Sequence, residues 1–274
     1  MGKYLVIGDP IEHSVSPIIQ NTIFKYLGLP YEYGVKHVRP SGLKAFAKEF
    51  IPDGGCGFNV TVPHKRKIMD YLSGVSVESR VIGAINTVCV KSGMLIGYNT
   101  DADGFLMQLQ SDNIRVENSR VKMIGAGGAA RAVAYALHKN GARTIKIYNR
   151  SFEKAKEICN LIGDGTCAHY LSEFSADFCD ILINTTSVGL YPNVDCSPIE
   201  SLEGLLPHTA VVDLIYNPSQ TKFLAMADAK GNPTFNGLKM LVYQGMLAND
   251  LWLGKNTAKN QLLFDEIIKK IKIK

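Results

Sequence analysis

The sequence is poor in every feature that would place it in a membrane, outside the cell or on a nucleic acid. No apolar run approaches the ~20 residues of a bilayer span. Six cysteines (Cys56, Cys89, Cys159, Cys167, Cys179 and Cys196) include no C-x-x-C pair and no cluster with histidine at metal-ligand spacing. That argues against a disulfide framework and against a metal site, and they read as reduced, buried small residues of a cytoplasmic protein. A strand begins almost at once, over residues 3–7, which leaves no room for a secretory signal. Charge excess is small, +5, and no stripe of aromatic and basic residues marks an RNA or DNA surface. The basic cluster Lys269, Lys270, Lys272 and Lys274 suits a helix C-terminus. Repeats, low complexity and long linkers are missing too. The partner expected is a small molecule, with neither nucleic acid nor membrane.

What is present is a chain of 274 residues, 46% of them hydrophobic, long for one domain and comfortable for two. Apolar β-rich runs alternate with helical spacing. Residues 4–7, 31–35 and 57–62 read as strands, with helices over 17–27, 43–50 and, after Pro63, to about 71. Residues 87–90 and 94–98 flank Lys91-Ser92-Gly93 as a hairpin, giving a mixed α/β domain. From about residue 103 a second pattern starts: helix 104–109, strand 121–124, helix 129–139, strand 144–148, helix 152–161, then strands 181–184 and 210–214. Alternation with short loops implies a parallel sheet with right-handed crossovers. Helical spacing over 238–253 and again over 259–272 ends the chain. The second domain needs neither helix, so both are free to return to the first.

Three stretches carry polar groups at places where chemistry is done. The first is V-K-M-I-G-A-G-G-A-A-R, residues 121–131. A strand turning sharply into a helix leaves backbone N–H groups unpaired at the positive end of the helix dipole, which suits a pyrophosphate. Gly125 allows the turn, Gly127 lets the backbone approach a ligand, and Ala130 packs helix on strand. At the end of the next strand an NAD site carries an acidic residue; here Asn149, Arg150 and Ser151 stand there, with Lys154 one turn on. Cations at that place favour the 2′-phosphate of NADP(H), a reading the location prefers over a solvated surface arginine. The second stretch is N-V-T-V-P-H-K, where Thr61 shares a face with Asn59 and Lys65 follows a strand; Asn86 and Asn99-Thr100-Asp101 lie downstream. A lysine paired with an aspartate donates a proton to a developing alkoxide, yet Lys65 alone reads as a solvated side chain. The third is Ser14-Val15-Ser16-Pro17, either helix caps or ligands for a carboxylate. Spacing does not separate those two.

The motifs I-G-D-P-I-E-H-S-V-S-P, G-F-N-V-T-V-P-H-K, I-G-A-I-N-T, N-T-D-A-D-G-F, G-A-G-G-A-A-R, N-R-S, N-T-T-S-V-G-L, D-L-I-Y-N-P and G-L-K-M-L-V-Y-Q, in this order and spacing, resemble the shikimate dehydrogenase family over nearly the whole chain. The resemblance implies reversible, NADPH-dependent reduction of 3-dehydroshikimate to shikimate in the route to aromatic amino acids. It implies an α/β architecture: a substrate-binding and catalytic domain over residues 1–102 with a mixed sheet, a Rossmann-type doubly wound NADP-binding domain over 103–237, and C-terminal helices over 238–274 completing the first. By position Lys65 resembles the catalytic lysine and Asp101 its partner. Ser14 and Ser16 match carboxylate-binding serines, and Thr61, Asn86, Asp101, Gln244 and Tyr216 match other substrate contacts. Gly125, Ala126, Gly127, Gly128 and Ala129 match the pyrophosphate loop. Asn149, Arg150 and Lys154 match the 2′-phosphate clamp, with Leu214 and Gly237 near the nicotinamide. No metal is implied, and the chain is expected to be a monomer or homodimer.

Some positions depart from the pattern. Asp9 stands where asparagine is common, Val77 beside Glu78 where an acidic residue often touches the cofactor, and Lys154 where arginine is frequent. Two other functions fit the same outline. A quinate/shikimate dehydrogenase using NAD is disfavoured by Asn149-Arg150, and a non-catalytic nucleotide-binding paralogue by the presence of both Lys65 and Asp101.

Overall fold

The computed structural model describes residues 2–271; Lys272 and Lys274, expected at the end of the last helix, lie outside the described residues. The chain divides into two compact units, one formed by the chain up to Gly104 together with the chain from Val242, the other by Phe105–Leu241.

The first unit runs β1 (Lys3–Gly8), α1 (Ser16–Tyr26), β2 (Glu32–His37), α2 (Leu43–Glu49), β3 (Gly55–Val60), β4 (Gly74–Val75), α3 (Val77–Ile82), β5 (Thr87–Lys91), β6 (Met94–Tyr98) and the start of α4 (Asp101–Ser111). Its sheet has the order β2-β1-β3-β5-β6-β4. β2, β1 and β3 are parallel, while β5 is antiparallel to both β3 and β6. Past the exposed Lys3, strand β1 is apolar and buried because both its faces are covered. Leu5 and Ile7 join Phe46, Phe50 and Phe58 on one side, and Tyr4 and Val6 join Phe24, Tyr33 and Trp252 on the other. Ser92 and Gly93 both take positive φ, 50° and 72°, the conformation that a tight hairpin turn requires.

The second unit continues with β7 (Arg120–Ile124), α5 (Gly128–Lys139), β8 (Thr144–Asn149), α6 (Phe152–Ile162), β9 (Thr166–Tyr170), β10 (Ile181–Asn184), β11 (Ala210–Asp213), α7 (Lys222–Asp228) and β12 (Thr234–Phe235). All its strand pairs are parallel, in the order β12-β11-β10-β7-β8-β9. This is the doubly wound dinucleotide-binding arrangement, with the chain reversing direction of build between β7 and β10. The chain ends in α8 (Leu238–Leu253) and α9 (Gln261–Lys270). The unit boundary falls inside α4 and inside α8. Past it, α8 locks into the first unit: Gln20 Nε2 donates to the Gly245 carbonyl at 2.8 Å, Asn249 Nδ2 to Gln20 Oε1 at 3.0 Å, and Trp252 Nε1 to the Val88 carbonyl at 2.9 Å.

Several local expectations are corrected. No α-helix follows Pro63; residues 62–66 form turns that lead to a 3₁₀ segment, Lys67–Tyr71. The Lys65 carbonyl is taken by the Ile85 N–H at 2.7 Å, and Met69 N–H turns to Arg66 instead. Helix α4 starts at Asp101 rather than 104. Helix α3 was not foreseen although Ser76 caps it and Gly83, at φ 69°, ends it. Strands β4, β9 and β12 and helix α7 were also missed, since two are two-residue strands and β9 is a half-exposed edge. All six cysteines are free, but only Cys89 and Cys179 are buried, and Cys167 and Cys196 are exposed. Among the described residues no helix is long and apolar enough to cross a membrane, and no group of three or more His, Cys, Asp or Glu is placed to hold a metal ion.

Candidate active site

In the first unit the chain leaves β3 through Thr61 and turns so that His64 is buried; its Nε2 donates to the Val38 carbonyl at 2.6 Å. That bond and the one from Ile85 to the Lys65 carbonyl pin the backbone on both sides of the Lys65 side chain. Lys65 Nζ lies 2.5 Å from Asp101 Oδ2, with the side chains 15% and 7% exposed. Asp101 is the first residue of α4. Asn99 Oδ1 accepts the N–H groups of Asp101 and Ala102 at 3.0 and 3.3 Å, so the carboxylate sits at a capped helix start where the dipole stabilises negative charge.

Asn86 fixes the other carboxylate oxygen. Its Nδ2 is 2.7 Å from Asp101 Oδ1, 2.9 Å from Thr100 Oγ1 and 3.2 Å from Gln244 Oε1. An amide nitrogen has two hydrogens for these three acceptors, and the two shorter contacts take the larger share. The Asn86 Oδ1 in turn accepts Thr100 N–H at 2.8 Å and Thr87 Oγ1 at 3.0 Å. Behind it Asn59 donates to the Asn86 carbonyl and to Thr87 Oγ1, and accepts Tyr33 OH at 2.6 Å. Burial holds that phenol protonated. A satisfied buried network of this kind is rigid. Gly104 completes it from α4: a Cβ there would lie 2.8 Å from the backbone nitrogen of Gln244, so only glycine admits α8 at this distance.

Lys65, Asp101, Asn86 and Gln244 are thus brought into one hydrogen-bonded group. Ser14, Ser16 and Thr61 are half-buried and, among the described residues, make no hydrogen bond to it. The helix-cap reading of the serines is corrected, because Val15 occupies the cap of α1 without a side-chain bond. Ser14 Oγ instead accepts Ser16 N–H at 3.3 Å.

In the second unit β7 is followed by Gly125, whose φ is 106° and whose Cβ would fall 2.6 Å from Thr185 Oγ1. Gly127 caps α5 with no side chain to bond the first helical N–H groups, and the space beside it is open. Ala126, Gly128 and Ala129 are half-exposed, and Ala130 is buried between helix and strand. Those free donors form a cradle for a phosphate. Asn149 ends β8 with Nδ2 donating to the Ser151 carbonyl at 2.9 Å. Arg150 and Lys154 are exposed, and among the described residues neither has an ion-pair partner. Arg150 also borders a cavity of about 650 Å³, lined with Tyr170, Ser172, Phe174, Ile199 and Glu200, a size and mix of aromatic and polar groups that suit a nucleoside. Tyr170 and Phe174 escaped sequence reasoning because β9 did. Beyond β11, Leu214 and Gly237 touch backbone to backbone: a Cβ on Gly237 would lie 2.0 Å from the Leu214 carbonyl oxygen. Tyr216 is half-buried in the same region, its phenol pushed up by burial. Val77 is 75% exposed at the start of α3.

Two family models match: the shikimate dehydrogenase substrate binding domain over residues 6–88, and shikimate/quinate 5-dehydrogenase over 108–203. The NADP(+) shikimate dehydrogenase of Methanocaldococcus jannaschii is 43% identical over 256 residues, 91% of this chain and 90% of that one. The Thermus thermophilus shikimate 5-dehydrogenase solved with NADP(H) and shikimate superposes with a TM-score of 0.88 at 35% identity, covering 98% of this chain and 99% of that one. A ligand-free 5-ketofructose reductase from a Gluconobacter strain gives 0.86 at 35% identity, with 98% of each chain covered. The chain belongs to the shikimate dehydrogenase family.

Proposed function

We propose that this protein is an NADP-dependent shikimate dehydrogenase, interconverting 3-dehydroshikimate and shikimate. The observation that carries the reading is the Lys65–Asp101 pair, 2.5 Å apart and held by Asn86. The substrate is assigned to residues 1–102 with 238–274, and the cofactor to residues 103–237. Gly125, Ala126, Gly127, Gly128 and Ala129 would hold the pyrophosphate of NADPH, Asn149, Arg150 and Lys154 its 2′-phosphate, and Leu214 and Gly237 would lie near the nicotinamide, which would supply the hydride. The Lys65 ammonium delivers a proton to the oxygen of the carbonyl being reduced and is left a neutral amine, which solvent reprotonates. Asp101 holds the lysine and accepts from a ring hydroxyl; in the reverse direction the neutral amine takes the hydroxyl proton. Asn86, Thr61 and Gln244 orient the ring hydroxyls, Ser14 and Ser16 hold the carboxylate, and Tyr216 adds a contact. The enzyme is assigned to the cytoplasm as a monomer or homodimer, with no nucleic-acid or membrane partner.

The likeness to a ketofructose reductase makes the substrate the point to test. Steady-state rates with shikimate and quinate, each with NADP and NAD, are expected to be highest for shikimate with NADP. Faster turnover of quinate with NAD would overturn the assignment.

A further inference from the structure

Outside the Lys65 network, Asp213 is a buried acid that no cation pairs among the described residues, unlike Asp112, which Lys239 meets. Asp213, the last residue of β11, is fully buried. Its Oδ1 accepts Asn184 Nδ2 and the Ile215 N–H, both at 3.0 Å, and its Oδ2 accepts Thr221 Oγ1 at 2.7 Å. The groups meeting the carboxyl from β10, from the loop after β11 and from the start of α7 are therefore neutral and do not titrate. Desolvation pushes its pKa from 3.8 up to about 6, against those hydrogen bonds.

A folded-state pKa above the unfolded value means that the fold binds the proton more tightly. Stability therefore falls as pH rises from 3.8 to about 6. At neutral pH the charge is carried at a cost to the fold. An amide of the same shape could accept from Asn184 and Ile215 and donate to Thr221, so the hydrogen bonds alone do not call for a charge. A buried charge kept against stability points to use elsewhere.

Its surroundings say where. Asn184 Oδ1 accepts Thr186 N–H at 2.9 Å and Thr186 Oγ1 at 2.7 Å. Thr186 Cγ2 lies 2.8 Å from where a Gly125 Cβ would be. On the other side Leu214 N–H donates to the Asn184 carbonyl at 3.0 Å, and Gly237 N–H to Ile215 at 3.0 Å. Asp213 thus joins the phosphate loop to the Leu214–Gly237 contact. Open parallel sheets bind dinucleotides outside the carboxyl ends of their strands, one half on each side of the switch point. The ends of β10 and β11 belong to the half opposite β8.

We propose that Asp213 is a positioning residue whose buried negative charge favours the oxidised, cationic nicotinamide over the reduced, neutral ring. It acts across the Leu214 segment, which it holds in place. The inference rests on the assignment of the nicotinamide to Leu214 and Gly237. The same field stabilises the positive charge that develops on the ring as hydride departs.

The test is the ratio of dissociation constants for NADP+ and NADPH, by calorimetry and nucleotide fluorescence, in the wild type, Asp213→Asn and Thr221→Val. Asp213→Asn is expected to weaken NADP+ binding about fivefold while NADPH binding holds and the neutral-pH Tm rises, since the cost of the buried charge is removed. Thr221→Val, which keeps the charge, is expected to lower Tm and leave the ratio unchanged. In the wild type, NADP+ preference should fall as pH is lowered from about 7.5 to about 5.5; the 2′-phosphate is common to both nucleotides and cancels. That profile stands even if the asparagine variant does not fold. A ratio that moves with neither the substitution nor pH overturns the proposal while leaving the cofactor assignment intact. A wild type that binds neither nucleotide overturns both.

Discussion

The two units hold their polar groups in opposite ways. In the first, Lys65, Asp101, Asn86, Thr87, Thr100 and Asn59 are bonded to one another before any ligand arrives, and all but Lys65 are buried. In the second, the helix-start N–H groups at Gly127 and the cations Arg150 and Lys154 are exposed and uncommitted. The difference follows from the work assigned to each. Proton transfer needs a fixed donor, because misplacement by an ångström is costly in rate. Anion binding needs open donors whose attraction is strong without prior order.

Substitutions can break that contrast. The largest effect is expected for Asp101→Asn, which keeps the shape but leaves the Lys65 ammonium unpaired; kcat should fall about 10²–10³-fold with the fold intact, read from steady-state rates beside circular dichroism. An unchanged kcat would mean that the pair is structural. Next, Arg150→Ala removes one charged hydrogen bond worth about 1.5–3 kcal/mol, so NADP should bind about 10- to 100-fold more weakly by titration. NAD should be unaffected, and an equal loss for both would place Arg150 elsewhere than on the 2′-phosphate. Gly125→Ala forces a side chain onto a φ of 106° and against Thr185. It should cost about 1–3 kcal/mol in a urea midpoint, and a neutral result would show that the turn relaxes. The smallest change is Lys154→Arg, which restores a planar fork and should tighten NADP about twofold relative to NAD. No gain would mean that Lys154 does not reach the phosphate.

The same contrast governs what could be read before the structure. The motif blocks were legible because their polar residues recur at strand ends: Thr61 and Lys65 after β3, Asn86 before β5, Gly125 after β7, Arg150 after β8. Side-chain type and local order sufficed there. Residues that act through contact with distant chain were not legible. Gly104 is needed by Gln244, 140 positions away. Tyr170 lines its cavity from the end of a half-exposed edge strand that lacks an apolar run, and Phe174 from just past the 3₁₀ turn that follows it. Asn99 as the cap of α4 carries a local signal, since N-T-D before an apolar run is a helix start, and it places that start ahead of the expected residue 104. Asp213 read as a strand end, since only the fold shows that no cation meets it.

The account stands most directly on Lys65→Ala, assayed for kcat and for shikimate and NADP dissociation constants in one preparation. Expected is a fall in kcat of about 10²–10⁴-fold, with both dissociation constants within about threefold of wild type. A weakened shikimate affinity with kcat preserved would contradict it, and would make Lys65 a binding residue rather than the proton donor.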